Sequence, residues 1–562
     1  MAIFVVLAVI YTWPLCLHMT ELYPSLQSIG GSNDPSFFLG YIDQVARGIA
    51  GRNPVPTETM VFYPRGIDML GAYDGPLMFL VAVPADLLSH NPVLAYNLVL
   101  LFSFLFTAWA TYFLLRQLVD SWGLSVFGGA VYGFSPYMLI RGVGHLNLMM
   151  LGVVPLLALV ALKFCRKPTL KGAVLLFGAV ILTALSSWYY ALAGVLFVGL
   201  IFLFRWRILW QAKFLSAVAV IFIGLGLFVV AVPLLTSENK GSEPMTDDFA
   251  FRASTQIQNL FLPTPMNPML GQLTMPVYEK FPTVIFPAAP NFFEMTSYLG
   301  LTGLIAILAV ILGRKLMRKD IWFWAVSGMV FLILSFGPYV FLFHHRVLLP
   351  FYFLRRVYPF DLFRVPNRFF VITLLCAVVL AVYMLDYLRH RVASARLRLL
   401  LMVSLSLLIF LDTSMLPYPL MNFPVSQFYK NIADDGGGYA IADLPINEFA
   451  VYNYFQTVHH KPIVDGHFFY PGVVPMTYFF ININPLLYNS MCQKPPGDPV
   501  GQPKSALKLL SEADVKYVVV HNLIIHSQPE CDKAGQYIRK FFAGKKPYYS
   551  DGDITVYSTD SQ

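Results

Sequence analysis

The chain has 562 residues, of which 57% are hydrophobic and only 12% are charged, with a mean hydropathy of +0.62. This balance excludes an ordinary soluble enzyme. The formal net charge is +8, yet residues 420–562 carry eleven basic and thirteen acidic side chains, so the positive excess lies in the apolar part. That distribution is typical of membrane topology rather than of a nucleic-acid surface, and we expect no nucleic-acid partner.

Long apolar segments recur along the chain from its first residues. A bilayer core of about 30 Å needs about 20 helical residues, and eleven segments approach or reach that length. They predict a polytopic α-helical membrane protein with about eleven transmembrane helices: 2–18, 93–115, 122–139, 146–163, 172–187, 189–204, 214–235, 297–313, 321–342, 367–388 and 397–413.

Basic residues concentrate in every second connection between these segments. The loops 163–171, 205–213, 313–320 and 389–398 together hold fifteen Lys or Arg and one acid, Asp320. Short basic loops stay in the cytoplasm. The pattern therefore predicts a multi-pass protein of the plasma (inner) membrane, with its N-terminus in the cytoplasm and its long polar loops outside.

Three of the predicted external regions are large. Region 19–92 contains two amphipathic or apolar stretches, 34–51 and 76–90, that predict helices lying in the membrane interface. Region 236–296 is a long Pro-rich loop, and loops of this length are usually functional. Region 343–366 carries four arginines on the side where basic residues are normally sparse.

The composition changes near residue 417. Strand-like runs such as YAIADLPI and DVKYVVVH follow a Gly-rich entry, and they predict a mixed α/β domain over 417–562, outside the membrane domain 1–416. Of the five cysteines, only Cys492 and Cys531 fall in this domain. The spacing leaves open whether they form a disulfide or remain free thiols.

Asp34 is the strongest single candidate for chemistry. It follows the first span, in GGSNDPSFF, just before the first amphipathic stretch. A carboxylate at the membrane edge acts as a general base when partial burial raises its pKa. Asp followed by Pro is also a good helix start, so a capping role is the alternative, and the two roles are compatible.

Two further acids, Asp43 and Asp74, lie in the same external region. With Asp34 they would supply oxygen ligands for a divalent cation, although no D-x-D spacing supports such a site. Asp74 precedes Gly-Pro, where a turn residue is the common reading, and we include it as a substrate-binding candidate. We assign no metal ligand and no cofactor, and a divalent cation stays open.

External arginines form a second set of candidates. Arginine near the membrane is costly unless it is paired with an anion, and a lipid phosphate is a natural partner that arginine grips bidentately. The alternative is that these side chains reach to phospholipid headgroups. The candidate phosphate-binding residues are Arg355, Arg356, Arg364 and Arg368, joined by Arg141 and His145 from the external turn 135–147.

The segment 453–469 concentrates polar side chains in the C-terminal domain. It includes His459 and His460, which we expect to lie in a loop facing the membrane domain and its substrate. Its histidine spacing matches no strong zinc pattern. The chain also lacks a Walker A motif, G-x-G-x-x-G, G-x-S-x-G and H-E-x-x-H, so ATP-driven transport and serine or zinc hydrolysis lose their usual support.

The layout resembles the GT-C superfamily of integral membrane glycosyltransferases. The resemblance covers roughly residues 1–420 and rests on an acid after the first span, an outer loop with two interfacial helices and a long loop after the seventh span. GHLN (144–147), FRVPNRF and QTVHHKPIVDG (456–466) look like recurring segments of bacterial glycosyltransferase-like proteins. The first loop has NDP in place of the D-x-D-like pair of the metal-dependent oligosaccharyltransferase branch.

The resemblance implies an enzyme that moves a hexosyl or pentosyl group from a polyprenyl-phosphate donor to a glycan, lipid or protein acceptor outside the cytoplasm, with Asp34 as the base. Membrane lipids and a larger membrane complex are further expected partners. Two alternatives remain: a transporter or flippase of lipid-linked saccharides, and an assembly subunit that has kept the fold without the chemistry. A transporter often shows two matching halves with broken helices, and we find no such symmetry.

Overall fold

The computed structural model describes residues 2–26, 34–52, 60–66, 75–207, 246–279, 296–313, 320–342, 345–447, 449–467, 479–493 and 505–560. Most of the chain before residue 414 is helical. Its helices of six or more residues are Ala2–Tyr11, Asp34–Ile49, Phe79–Ser89, Pro92–Leu115, Trp122–Gly133, Pro136–Gly142, Val153–Arg166, Leu170–Ser186, Trp188–Phe204, Asp247–Arg252, Gly271–Glu279, Gly300–Ile311, Ile321–Ser335, Phe370–Arg391 and Ala395–Thr413.

Three described helical segments are long and apolar enough to span a membrane: Pro92–Leu115, Leu146–Arg166 and Pro366–Arg391. The last two each include a short helical turn, Leu146–Leu148 or Pro366–Phe369, that precedes the main helix. A fourth span results if the bent pair Trp122–Gly133 and Pro136–Gly142 counts as one. The protein is therefore membrane-embedded, but the predicted number of eleven spans is not confirmed. Most other predicted spans are shorter apolar helices in the structure, and 214–235 lies outside the described residues.

Local sequence signals explain where several of these helices begin. Asn91 caps the helix Pro92–Leu115 by accepting a hydrogen bond from the Leu94 amide at 2.9 Å, and Pro92 occupies the first turn, where its missing N–H costs nothing. Pro136 likewise occupies the first turn of the helix Pro136–Gly142. Because a proline cannot continue the helix Trp122–Gly133, the chain breaks there and the two helices meet at 43°.

The helix Phe370–Arg391 forms the centre of the membrane part. Its residues from Phe370 to Asp386 are all buried. It packs against Gly300–Ile311, Ile321–Ser335 and Trp122–Gly133. At the last of these, Gly128 lets the backbones approach, since a Cβ there would lie 2.9 Å from Val382.

The described residues also contain eight short strands. Strands β1 (Tyr23–Pro24) and β4 (Leu420–Met421) pair with each other, as do β2 (Tyr339–Leu342) and β3 (His345–Leu348). The C-terminal sheet has the order β5 (Ala440–Leu444), β6 (Val515–His521), β8 (Ile554–Ser558) and β7 (Tyr549–Ser550), with β5 and β6 parallel and the other pairs antiparallel. A small mixed α/β region near the C-terminus is thus confirmed. Its helices include Gln427–Ala433, Ala450–His459, Asn522–Ser527 and Asp532–Phe541.

The C-terminal region packs directly on region 19–92, the first loop of the chain. The helix Asp34–Ile49 lies along Ala450–His459, and the approach is so close that a Cβ on Gly40 would lie 2.6 Å from the backbone oxygen of Asn453. Gln44 also donates a hydrogen bond to the side-chain oxygen of Gln456. These contacts fix the helix that begins at Asp34.

Cys492 and Cys531 form a disulfide, which decides the alternative left open by the sequence. Their separation of 39 residues predicts that the bond stabilises the C-terminal region by about 4 kcal/mol, because it restricts the unfolded chain. We expect Cys492→Ala/Cys531→Ala to lower the melting temperature of the purified protein. A double variant that melts with the wild type would show that the bond contributes nothing to stability.

Candidate functional site

Asp34 is the first residue of the helix Asp34–Ile49 and is followed by Pro35. A proline fits the first turn of a helix, and the helix dipole favours a carboxylate there. Two residues on, the Ser36 hydroxyl lies 2.9 Å from the hydroxyl of Tyr23, next to the short β1–β4 pairing. The Asp34 side chain is 16% exposed, so it combines partial burial with access.

His145 and Arg141 lie beside Asp34. The Asp34 Oδ2 atom is 3.7 Å from His145 Nε2, and His145 Nδ1 is 3.4 Å from Arg141 Nη1. Arg141 is in the last turn of the short helix Pro136–Gly142, with its guanidinium 5.0 Å from the centre of the Tyr137 ring. The structure thus brings Asp34 to the turn that holds Arg141 and His145, more than 100 residues later in the chain.

Two tyrosines connect this group to the arginines before the central helix. The Tyr190 hydroxyl lies 3.3 Å from that of Tyr137 and donates to the Leu148 carbonyl at 2.7 Å. Arg368 and Arg141 both lie near enough to Tyr190 to interact with it electrostatically. Arg368 is also 5.8 Å from the centre of the Tyr189 ring.

Arg364 also contacts Tyr189, since its Nε donates to the Tyr189 hydroxyl at 3.5 Å. We call Asp34, Arg141, His145, Arg364 and Arg368 the Asp34 cluster. All five were predicted as site residues from the sequence. Tyr189 and Tyr190 were missed, although the SSWYY turn in which they lie was visible as a break between two apolar segments.

The Asp34 cluster is strongly basic, and two of its three arginines are buried. Its members carry three guanidinium groups and one carboxylate, while Arg141 and Arg368 are 0% and 3% exposed. Guanidinium groups present a rigid fork of donors that matches the oxygens of phosphate. The arrangement can therefore hold a phosphate next to a carboxylate that accepts a proton.

Arg355 and Arg356 are placed differently. Arg355 Nη1 donates to Asp247 Oδ1 at 2.8 Å and to the Thr246 carbonyl at 3.2 Å. Arg356 Nη2 lies 3.2 Å from the other Asp247 oxygen. Asp247 belongs to the Pro-rich region 236–296 and was not singled out from the sequence. In this structure the two arginines therefore anchor that region.

His460 and His459 lie where the C-terminal region meets the first loop. His460 Nδ1 is 3.6 Å from Asp43 Oδ2, on the same helix as Asp34. His459 is completely buried, stacks on Tyr429 and accepts a hydrogen bond from the Lys461 amide at its Nδ1. The structure does not bring His459 to the Asp34 cluster.

The divalent cation left open by the sequence gains no support. Within the described ranges, no group of three His, Cys, Asp or Glu side chains could hold a metal ion. Asp34 and Asp43 are nine residues apart on one helix, which places them roughly 13 Å apart along its axis and on opposite faces. They cannot share an ion there. Asp74 lies outside the described residues.

Burial of His459 makes stability depend on pH. Loss of solvation lowers its pKa to about 3, while a histidine in an unfolded chain titrates near 6.5. As the pH falls below 6.5 the unfolded chain binds a proton that the folded chain refuses. This difference in proton uptake lowers the free energy of unfolding by about 2 kcal/mol between pH 7 and pH 5.

The measurement is the melting temperature of wild type and His459→Asn at pH 7 and pH 5. Asparagine keeps an acceptor near the Lys461 amide but does not titrate. We expect the wild type to lose more stability than the variant on acidification. Equal losses in the two proteins would contradict a buried neutral His459.

Fold and site together define a membrane-embedded, mostly helical protein with a basic cluster around one carboxylate. The chain belongs to the family described as Domain of unknown function (DUF6311), whose model matches residues 50–413. None of the curated proteins matches the sequence.

Two solved structures are similar in overall shape. A cryo-EM structure of the arabinofuranosyltransferase AftD from Mycobacteria has a TM-score of 0.47 at 12% identity, covering 93% of this chain. This chain spans only 35% of AftD. The crystal structure of ArnT from Cupriavidus metallidurans in the apo state has a TM-score of 0.42 at 12% identity, covering 99% of this chain and 97% of ArnT. The function proposed below rests on the site rather than on these two likenesses.

Proposed function

We propose that this protein is a membrane glycosyltransferase that takes a sugar from a polyprenyl-phosphate donor and transfers it on the extracytoplasmic side. The observation that carries the proposal is the contact of Asp34 with His145 at 3.7 Å, backed by the buried guanidinium of Arg141. A carboxylate beside a phosphate-binding group is what sugar transfer from a lipid phosphate requires.

The proposed reaction is a direct displacement. The acceptor hydroxyl forms a bond to the anomeric carbon, while the bond from that carbon to the phosphate oxygen breaks. The electron pair leaves with the lipid phosphate, and the hydroxyl proton passes to Asp34. The guanidinium groups of Arg141, Arg364 and Arg368 stabilise the negative charge that develops on the leaving phosphate.

Further arginines are proposed to extend the phosphate site. Arg355 and Arg356 each contact one oxygen of the Asp247 carboxylate, so the two guanidinium groups together already hold one oxyanion. Their predicted role in donor binding therefore requires the phosphate to displace Asp247. His459, His460 and Asp74 remain proposed substrate-binding residues.

The proposed location is the inner membrane of a bacterium, with the N-terminus in the cytoplasm and residues 417–562 outside as a separate domain on the membrane domain 1–416. The alternation of basic loops supports this orientation. The disulfide between Cys492 and Cys531 supports it independently, because such bonds persist in oxidising compartments. The acceptor is a glycan, a lipid or a protein, and a larger membrane complex remains a proposed partner.

The test is transfer of labelled sugar from a panel of polyprenyl-phosphate donors by the purified protein in lipid nanodiscs. We expect label to leave the lipid for one donor class, with Asp34→Asn as the inactive control. A lipid-linked saccharide transporter would use the arginines but not the carboxylate, and an inactive assembly subunit would be found in a larger complex and would tolerate Asp34→Asn. Lack of transfer from every donor by folded protein would contradict the proposal.

A further inference from the structure

The helix Asp532–Phe541 and the turn that follows it carry a concentration of positive charge. Five of the eleven basic residues in 420–562 lie in this short stretch, although the region as a whole has more acids than bases. No acid occurs between residues 533 and 550, and the nearest acids before it are Glu530 and Asp532. We call the five exposed basic residues the basic surface: Lys533, Arg539, Lys540, Lys545 and Lys546.

The helix presents these charges because its opposite face is buried. Ile538 is in the hydrophobic core, and Gly535 lies so close to the helix Asn522–Ser527 that a Cβ there would overlap Ile525. Lys533 and Lys540 are seven residues apart, which places them on one face, two turns from each other. The disulfide bond immediately before the helix fixes its first turn. The basic surface is therefore held by a well-packed element.

The C-terminal sheet lies between the basic surface and the membrane part. Ile441 and Val519, on one face of the sheet, belong to the hydrophobic core that continues into the membrane part. Val518, on the other face, packs in a separate core with Ile538 and Phe542. Since successive side chains of a strand point to opposite faces, the helix lies on the side of the sheet turned away from the membrane part. This placement favours a partner in solution over lipid headgroups.

The charges of the basic surface are not neutralised within the described part of the chain, where none of the five forms an ion pair. Lys508 and Lys516 of the same region, in contrast, pair with Glu512 and Asp435. Like charges grouped in this way produce a positive potential that attracts anions. Such a surface fits a partner that carries several negative charges.

Tyr548 is the one large hydrophobic side chain that is exposed within the described residues 532–550, at 62%. A protein partner usually requires a buried apolar centre in the interface, and a single ring surrounded by lysines does not supply it. A sugar needs less, because one aromatic ring is enough to pack against the C–H face of one sugar unit. Charge and ring together therefore favour an anionic polysaccharide.

We propose that the basic surface binds an anionic polysaccharide outside the membrane. The lysines and Arg539 donate charge-assisted hydrogen bonds to carboxylate or phosphate groups along the polymer, and Tyr548 packs on one sugar unit. Several contacts that are weak alone act together when they lie on one polymer. The location outside the cytoplasm rests on the proposed orientation, whereas binding itself requires neither a donor nor sugar transfer.

The experiment measures binding of polygalacturonate to the full chain in nanodiscs of zwitterionic lipid. The reference polymers are its methyl ester, which has the same sugars without charge, and poly-glutamate, which has carboxylates without sugars. We expect saturable binding of polygalacturonate that weakens as salt is added, weaker binding of poly-glutamate and none of the ester. Equal binding of polygalacturonate and its ester, or of polygalacturonate and poly-glutamate, would overturn the proposal.

Two double variants with the same change of charge locate the binding. Lys540→Gln/Lys545→Gln alters only exposed side chains and should bind polygalacturonate roughly tenfold more weakly. Lys430→Gln/Lys508→Gln removes two exposed lysines outside the basic surface and should bind as the wild type does. Equal losses in the two variants would mean that net charge alone is responsible and would overturn the proposal.

Two further outcomes separate this surface from the membrane and from the proposed enzyme. Binding of anionic phospholipid vesicles without binding of polygalacturonate would place the surface against a bilayer and overturn the proposal. Asp34→Asn should bind the polymer as the wild type does. Polymer binding by a protein that transfers no sugar would therefore support the basic surface and contradict only the proposed enzyme activity.

Discussion

Asp34→Asn is expected to lower kcat for sugar transfer by roughly 10²–10⁴-fold, because an amide cannot take the proton of the acceptor hydroxyl. The KM for the donor should change little, since the guanidinium groups of Arg141, Arg364 and Arg368 remain. The measurement is the initial rate of label transfer at saturating donor. A loss confined to KM would mean that Asp34 binds donor instead of moving a proton.

Asp43→Asn is the matched control for this variant. Asp43 is on the same helix and is buried, but it faces away from Asp34 and contacts His460. The two substitutions change the charge of the helix equally. We expect Asp43→Asn to retain most of the transfer rate, and an equal collapse of both variants would indicate damage to the helix.

Arg368→Gln is expected to lower kcat by about 10²–10³-fold, the usual effect of removing one donor that stabilises developing charge. Arg368 is suited to this task because it is almost fully buried, where electrostatic effects are stronger than in water. Arg368→Lys should have a kcat between those of the wild type and Arg368→Gln, since lysine keeps the positive charge but loses the paired donors of the guanidinium group. Rates and donor KM are measured for all three proteins.

The matched control for Arg368→Gln is Arg389→Gln, at the other end of the central helix. Arg389, in the last turn of the helix Phe370–Arg391, pairs with Asp386 at 2.8 Å and is far along the helix from the Asp34 cluster. We expect Arg389→Gln to transfer sugar at nearly the wild-type rate. If Arg368→Gln were as active as Arg389→Gln, the buried arginine would have no part in transfer.

Much of the Asp34 cluster was predictable because membrane topology restricts where charges can lie. Asp34, Arg141, His145 and Arg364 lie in polar connections that the positive-inside pattern assigned to one side, and Arg368 lies at the external end of the predicted span 367–388, so all five were expected at the same face of the membrane. Their contacts within that face came from the structure. The exact number of spans was not predictable in this way. The predicted span 122–139 is interrupted by Pro136, and the helix Ala395–Thr413 carries Arg396, Arg398 and Asp412, so neither segment gives one long apolar helix despite its hydropathy.

Other features depended on contacts between distant segments. The helix Asp34–Ile49 was predicted from its apolar face, but Asp43 and Gln44 on the other side are also buried, by the C-terminal region. Likewise, Asp247 and Arg355 are 108 residues apart, and nothing local in either segment indicates their ion pair. Asp443 and His521 became a pair only because β5 and β6 are neighbours in the sheet.

The most direct test of the central claim is single-turnover transfer from a labelled polyprenyl-phosphate sugar, with donor binding measured on the same wild-type and Asp34→Asn samples. The account predicts that both proteins bind the donor and only the wild type moves the sugar. Equal transfer by both would show that Asp34 is not the base and would contradict the account.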